Sequence, residues 1–396
     1  MPYNSRTSRP GRSRSTAFSA RPSRHQKQLK DNINPSRFVK PARPVEAVAY
    51  EAQHSFADFA INPLLHANIA AKGFTTPSPI QDQSIPSALQ GKDVIGIANT
   101  GTGKTIAFAV PVLEQLLNDR KSKALIMAPT RELAQQIQDE CRSLAKGSGL
   151  YGALLIGGAA MGPQLRDLRS NPAIVIGTPG RIKDHMERGT LRLADFNVVV
   201  LDEVDRMLDM GFVQDMRFIL EQMAPVRQSF FFSATLDAKV NGLIRDFSND
   251  PVTVSVKTGE TTDNVDQNIV AYGSKGEKLE KLHDLLVTPN VKALVFDDTQ
   301  RSVERLSKEL MLRGFQADAI HGGKSQGQRQ RALNRFKTND ITVLVATDVA
   351  ARGIDISDIT HVINYSTPKT YDDYVHRIGR AGRAGRTGFA LTFIEQ

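Results

Sequence analysis

Tryptophan is absent from this 396-residue chain, and cysteine occurs once, at Cys141. A single thiol excludes an intramolecular disulfide framework and any cysteine-rich zinc site, and it fits a reducing compartment. The eight histidines form no Cys/His cluster of metal-ligand spacing. No apolar run approaches the length of a membrane span, so neither membrane insertion nor a membrane partner is expected. Acidic residues are scarce at the start: residues 1–45 hold eleven Lys or Arg against one acid, Asp31. That segment accounts for the net charge of +9, and the remainder is near neutral. It also lacks the apolar core of a secretory signal, and Pro2, Pro10 and Pro22 oppose the amphipathic helix of a transit peptide. Rich in Arg, Ser and Pro, residues 1–50 read as a disordered basic arm. Such an arm gains affinity for a polyanion by releasing counterions from phosphates. The expected location is cytoplasmic.

After residue 55 short apolar runs alternate with helical patterns. The runs are "DVIGIA" (93–98), "KALIMAP" (123–129), "GALLIGG" (152–158), "AIVIGTP" (173–179), "VVVLDE" (198–203) and "SFFFSAT" (229–235). A second series follows in "KALVFDDT", "ADAIHG", "ITVLVATD", "HVINYS" and "GFALTFI". Uninterrupted apolar runs of this length read as strands buried on both faces of a parallel sheet. The turn-rich stretch 255–275 reads as the linker between two domains. The expected fold is therefore α/β, two tandem RecA-like domains at 55–256 and 265–396, each a mainly parallel sheet flanked by helices. In nearly every run the polar or glycine-rich punctuation falls at the carboxyl end. Ligand crevices of open parallel sheets lie there.

One such crevice is chemically explicit. "ANTGTGKT" (98–105) lies between a strand and an apolar helical run. Gly101 and Gly103 allow backbone amides close to phosphate oxygens, Lys104 reaches the terminal phosphates, and Thr105 suits magnesium. Asn99, Thr100 and Thr102 complete the loop. Ala98 stands where the strict pattern has glycine. "DEVD" (202–205) ends another strand, so Asp202 suits the metal side of the phosphate loop and Glu203 the attacking water.

These motifs and others in order along the chain resemble the DEAD-box ATP-dependent RNA helicases. "FADF" (56–59) and "GFTTPSPIQ" (73–81) resemble the family's Q motif, spanning 54–82; "PTRELA", "GG" (157–158), "TPGR", "SAT", "HGGKSQGQRQRAL", "ATDVAARGIDI" and "HRIGRAGRAGR" follow. The resemblance implies ATP and Mg2+ as cofactors, with Gln81 and Thr76 reading the adenine and Phe56 stacking on it. It implies a ribose contact from Asp355 and arginine fingers from Arg380 and Arg383. Asp205, Ser233, Thr235 and His376 would couple nucleotide state to RNA. The RNA contacts implied are Thr130, Arg131, Gly158, Thr178, Gly180 and Arg181 from the first domain, and Gln326, Arg329, Thr347 and Asp348 from the second. Hydroxyls, amides and Arg forks of this kind grip backbone rather than bases, so RNA binding should be nearly independent of sequence.

The implied activity is RNA-stimulated ATP hydrolysis coupled to domain closure, with local non-processive unwinding by a largely monomeric core. An ATP-gated RNA clamp with little unwinding is the alternative. Three features depart from the family pattern: Val204 in "DEVD", the acids Asp297 and Asp298 in "LVFDDTQR", and an end two residues after the last strand. With no helix or tail beyond that strand, the basic arm is the visible candidate for target recruitment.

Overall fold

The computed structural model describes residues 33–42, 50–99, 101–256, 263–351, 356, 358–382 and 386–396. Described residues up to Val256 that belong to a sheet form one seven-stranded sheet, and those after Asp263 form a second of six strands. The first comprises β1 (Val94–Ile97), β2 (Ala124–Met127), β3 (Gly152–Leu155), β4 (Ile174–Gly177), β5 (Val198–Leu201), β6 (Gln228–Ser233) and β7 (Val252–Ser255). Its spatial order is β3-β4-β2-β5-β6-β1-β7. The second comprises β8 (Val265–Tyr272), β9 (Ala293–Phe296), β10 (Ala317–Ile320), β11 (Val343–Ala346), β12 (His361–Asn364) and β13 (Gly388–Glu395), ordered β10-β11-β9-β12-β13-β8. Every pairing within both sheets is parallel. Parallel strands must be joined by crossovers, and helices supply them, so each sheet is covered on both faces.

The apolar runs explain the layers. In β2, β4 and β5 every residue is buried, because helices pack on both sides. Phe230 and Phe232 of β6 point to one face with Phe108 and Ile126, while Phe231 points to the other with Leu201 and Met216. The second sheet divides in the same way, with Phe296, Leu344 and Tyr374 on one side and Val295, Val345 and Phe393 on the other.

Two expectations need correction. The stretch 255–275 is not all linker: β8 occupies Val265–Tyr272 and pairs along its whole length with β13. Its polar residues hide a strand because Gln267, almost fully buried, accepts the Tyr374 hydroxyl at 3.0 Å. The arm expected to lack structure over 1–50 contains a folded piece at 33–42, where Phe38 is fully buried. A large aromatic with an apolar slot to fill outweighs the polar composition around it. The rest of that expectation, residues 1–32 and 43–49, lies outside the described residues.

Strand order places the chemistry. β5, β6 and β1 are adjacent, so "DEVD", "SAT" and the phosphate loop emerge side by side. The register pairs Ile97 with Ser233, directly before the loop. Ala98 extends this ladder, its amide donating to the Ser233 carbonyl at 3.0 Å. The glycine of the strict phosphate-loop pattern is dispensable here because the position is still strand.

Val204 is fully buried among Leu201, Met207 and neighbouring side chains of the same core. Its two extra methyls relative to alanine are filled volume. Val204→Ala should lower stability by roughly 1.5–3 kcal/mol through lost burial plus a cavity and leave ATP turnover in place. Denaturant titration checks this; an unchanged midpoint would mean that the surrounding side chains collapse into the space.

Candidate nucleotide and RNA site

The phosphate loop is held from below by the helix Pro79–Leu89. Ser78 and Gln81 form a capping box at its start, the Gln81 Oε1 accepting from the Ser78 amide at 2.9 Å. The same two side chains grip the loop: Ser78 Oγ donates to the Thr102 carbonyl at 2.7 Å and Gln81 Nε2 to the Gly103 carbonyl at 3.0 Å. Thr102 Oγ1 closes the loop on the Asn99 carbonyl at 2.8 Å. Gly103 adopts a left-handed φ of 94°, and a Cβ there would collide with the Gln81 side chain. Gln81 therefore touches the phosphate loop itself, linking the implied adenine-reading position to the phosphates. Helix Lys104–Asn118 starts at this glycine, so its free N–H groups and dipole face any bound anion.

These residues line a cavity of about 650 Å³. Phe74, Gln81, Gly101, Gly103, Lys104 and Thr105 face it from one side, and Asp202 and Glu203 close its end. Leu333, Asn334 and Ile356 reach it from the second domain. The implied base-stacking residue does not: Phe56 is buried behind the cavity wall, edge-on to Phe59 and 6.4 Å from the ring of Phe74. Phe74, 38% exposed, is the aromatic on the cavity. Sequence reading passed over it because nothing in the motif says which of two phenylalanines is the support and which the surface. Thr76 is exposed. Thr100, Asp355 and Arg383 lie outside the described residues.

At the cavity floor Lys104 Nζ stands 3.9 Å from Asp202 Oδ1, both side chains nearly inaccessible. Burial pushes the Asp202 carboxyl up to about 6, opposed by Lys104 and reinforced by Glu203. Burial also works against charge on Glu203. There it is outweighed by Arg206, Lys104, Arg380 and His376, which hold that carboxyl below its usual range. Arg206 Nε is 3.5 Å from Glu203 Oε2. Glu203 has φ 54° and ψ 54°, a left-handed conformation that non-glycine residues adopt at some cost. Arg380 and His376 belong to the second domain, so the field on this glutamate is set from both sides of the cleft. Beside it, Asp205 Oδ2 accepts the amides of Ala234 and Thr235 and the Thr235 hydroxyl at 3.0–3.2 Å. The Ser233 hydroxyl accepts the Asp205 amide at 3.4 Å. "SAT" is thus bonded to "DEVD" at the residues expected. A 240 Å³ gap lined by Asn99, Asp205, Thr235, His376 and Arg380 continues this contact into the second domain.

The residues expected to meet RNA fall into two groups. Arg131 lies under Gly158, whose φ is 72° and where a Cβ would strike the guanidinium. Arg181 reaches the Ala159 carbonyl at 3.4 Å, and Gly180 is exposed next to it. Thr130 and Thr178 start the helices Arg131–Leu144 and Pro179–Glu187, and the Thr130 hydroxyl accepts the Leu133 amide at 3.2 Å. Thr347 begins the turn Asp348–Ala351 through its carbonyl.

Two expected RNA contacts have side chains already bonded within the protein. Arg329 is buried and donates to Glu132 Oε2 at 2.7 Å across the cleft. Asp348 holds Arg377 through two bonds of 2.5 and 2.7 Å. Neither is a free surface group: the buried Arg329 has Glu132, and the partly exposed Asp348 is the partner of the buried Arg377. Glu132 was overlooked because a glutamate inside "PTRELA" carries no sign of a partner nearly 200 residues later. His321 is likewise occupied, accepting the Gly323 amide on Nδ1 at 3.2 Å, which leaves its Nε2 hydrogen for Glu304 at 3.1 Å.

Among the described residues no helix is long and apolar enough to cross a membrane. Two family models match the chain: the DEAD/DEAH box helicase over residues 78–243 and the helicase conserved C-terminal domain over residues 277–385. The chain is 44% identical to the ATP-dependent RNA helicase CshA of Limosilactobacillus reuteri over 345 residues, 86% of this chain and 69% of that protein. It is 44% identical to the DEAD-box ATP-dependent RNA helicase CshA of Bacillus licheniformis over 342 residues, 86% of this chain and 70% of that one. Among solved structures, Saccharomyces cerevisiae Dbp5 bound to RNA and ADP BeF3 superposes with a TM-score of 0.76 at 28% identity, covering 86% of this chain and 90% of that one. With both halves of the cleft matched in order and in space, the chain belongs to the DEAD/DEAH box helicase family, as a helicase of the DEAD-box type.

Proposed function

We propose that this chain hydrolyses ATP in response to RNA and uses closure of its two domains to bend and locally open short RNA duplexes. The carrying observation is that the residues around Glu203 come from both domains, with Arg380 and His376 acting on a carboxylate at the tip of β5. The chain superposes over both domains on a Dbp5 structure that holds RNA and ADP BeF3 with a TM-score of 0.76, which supports reading this arrangement as the closed form.

In that form Glu203, kept ionised by its cations, orients the attacking water and takes its proton. Arg380 offsets the charge that develops on the transferred phosphoryl group, a contribution lost when the cleft opens. Phe74 supports the base, Gln81 reads it while fixing the loop, and Lys104 neutralises the terminal phosphates. Thr105 and Asp202 form an all-oxygen donor set of the kind that magnesium accepts, and would hold a magnesium ion that neutralises phosphate charge. Arg131, Gly158, Thr178, Gly180 and Arg181 offer a cluster of guanidinium, amide and hydroxyl groups for an RNA backbone, with Thr347 opposite. A cytoplasmic site of action is the working assignment for cell fractionation.

Three outcomes test the reading. Glu203→Gln should keep ATP and RNA binding while turnover falls by two orders of magnitude or more (~10²–10⁴ for a positioned base); near-normal phosphate release would remove Glu203 from the role. Phe74→Ala should weaken ATP binding by about 1 kcal/mol, since a stacked aromatic pair carries ~0.5–1.5 kcal/mol beyond its area. Phe56→Leu should cost stability instead, and equal loss of ATP affinity in both would return the stacking role to the buried ring. Glu132→Gln and Arg329→Met should each raise the RNA concentration needed for half-maximal ATPase. Their double variant should fall short of the summed effects by about 0.5–3 kcal/mol, the coupling of one contact. Additive effects would mean that the pair does not act in closure.

A further inference from the structure

The folded piece of the basic arm docks on the second domain. Asn34 caps a short turn, Pro35–Phe38, by accepting the Ser36 amide at 3.1 Å. Lys40 then pairs antiparallel with Gln267 of β8, its amide donating to the Gln267 carbonyl at 3.0 Å and its carbonyl accepting the Gln267 amide at 2.8 Å. β8 is the outermost strand of its sheet, so this bridge covers an edge that would otherwise offer free amides and carbonyls. Side chains reinforce it. Phe38 is fully buried with its ring centroid 4.7 Å from that of Tyr374, and the Arg37 guanidinium lies 3.7 Å over Tyr371. Lys40 Nζ is 2.9 Å from Asp263 Oδ1, immediately before β8.

The chain is next described at Tyr50, now on the first domain. The Tyr50 hydroxyl and the Gln53 amide donate to Asp82 Oδ2 at 2.6 and 2.8 Å. The His54 amide and Nδ1 lie 3.2 and 2.7 Å from Asp82 Oδ1. Asp82 neighbours Gln81, which holds the phosphate loop. Two short segments of one chain are therefore anchored on opposite domains, and the covalent path from 42 to 50 spans at most roughly 28 Å.

We propose that residues 33–42 are a strap, fastened to the β8 edge and the Tyr371–Tyr374 slot, that gives the chain a second crossing between its domains and favours the closed arrangement. The proposal builds on closure-coupled ATP hydrolysis as read above. The slot holds a basic–aromatic turn that runs into a one-residue bridge, and this chain supplies it in cis as Arg37-Phe38-Val39-Lys40. A tether that limits separation raises the effective concentration of one domain at the other.

The test uses the full chain. Phe38→Ala empties the slot, and Lys40→Glu opposes Asp263, with Asp263→Lys as the charge-swap partner. Hydrogen exchange at the Lys40 and Gln267 amides reports the strap directly, and dyes on the two domains report closure. The expected result is faster exchange at both amides and a half-maximal RNA concentration about fivefold higher, the shift expected when a two-state equilibrium loses part of its bias. Basal ATPase without RNA falls by no more than the same factor, because it draws on the same closed arrangement. Phe38→Ala leaves every charge of the arm in place, so the salt dependence of RNA binding should keep its slope. The Lys40→Glu/Asp263→Lys pair should recover both readouts. Unaltered exchange in Phe38→Ala would overturn the docking. Released amides with unaltered closure and unaltered RNA dependence would overturn the strap's role. An enzyme whose ATPase ignores RNA would instead refute the closure reading, leaving the exchange result on the strap to stand.

Discussion

Charge withheld from water is stable only beside its partner, and in this protein the partners are divided between two sheets. Lys104, Asp202, Glu203 and Arg206 are all nearly inaccessible at the carboxyl edge of the first sheet, and Arg380 comes to them from the second. Glu132 and Arg329 repeat the arrangement further along the cleft. An uncompensated buried ion costs several kcal/mol, whereas the same group facing open solvent costs nothing. In the arrangement seen, each of these buried charges has its partner in place, and separating the sheets would remove the cross-cleft ones. The proposed link between hydrolysis and closure draws on that division, because two of the groups that hold Glu203 below its usual range, Arg380 and His376, belong to the second domain.

The adjacent carboxylates illustrate how finely the division acts. Asp202 and Glu203 share one strand tip and equal burial, yet their protonation is pushed in opposite directions. The difference is geometric. Asp202 meets one cation at 3.9 Å, while Glu203, turned by its left-handed backbone, faces Arg206 and the second domain. A divalent cation beside Asp202 would restore its carboxylate, so metal and nucleotide belong together at that position. Glu203 is held ionised by protein cations alone, without any metal.

The phosphate loop, the carboxylates and the parallel sheets were legible because each is written locally: an apolar strand, then a polar or glycine-rich end. Asp205, Ser233 and Thr235 were legible for the same reason, two neighbouring strand tips with complementary donors and acceptors. What was not legible depends on distant chain segments. Phe56 and Phe74 have the same chemistry, and only the packing of Phe59 behind one of them decides which faces the cavity. Arg329 reads as a surface RNA contact until Glu132 is brought against it, and Asp348 until Arg377 is. β8 was hidden by its own polarity, since a buried Gln267 bonded to Tyr374 looks like a loop residue in sequence.

The arm shows how folding changes an electrostatic argument. By composition, eleven cations precede residue 46, all open to a polyanion. Arg37 and Lys40 are committed instead, one stacked on Tyr371 and the other paired with Asp263. Eight of the remaining cations lie in residues 1–32. If every one met a phosphate of a single strand, counterion release would give a logarithmic salt slope of roughly 6 from this source. Arg37 and Lys40 add nothing to that slope, because both are committed to residues of the second domain. A tail that contributed charge alone would work equally well attached to either domain. This one also docks: Lys40 bridges β8 of the second domain, and Tyr50 and Gln53 bond Asp82 of the first beside the residue that holds the phosphate loop, so one short stretch of chain bears on both sheets.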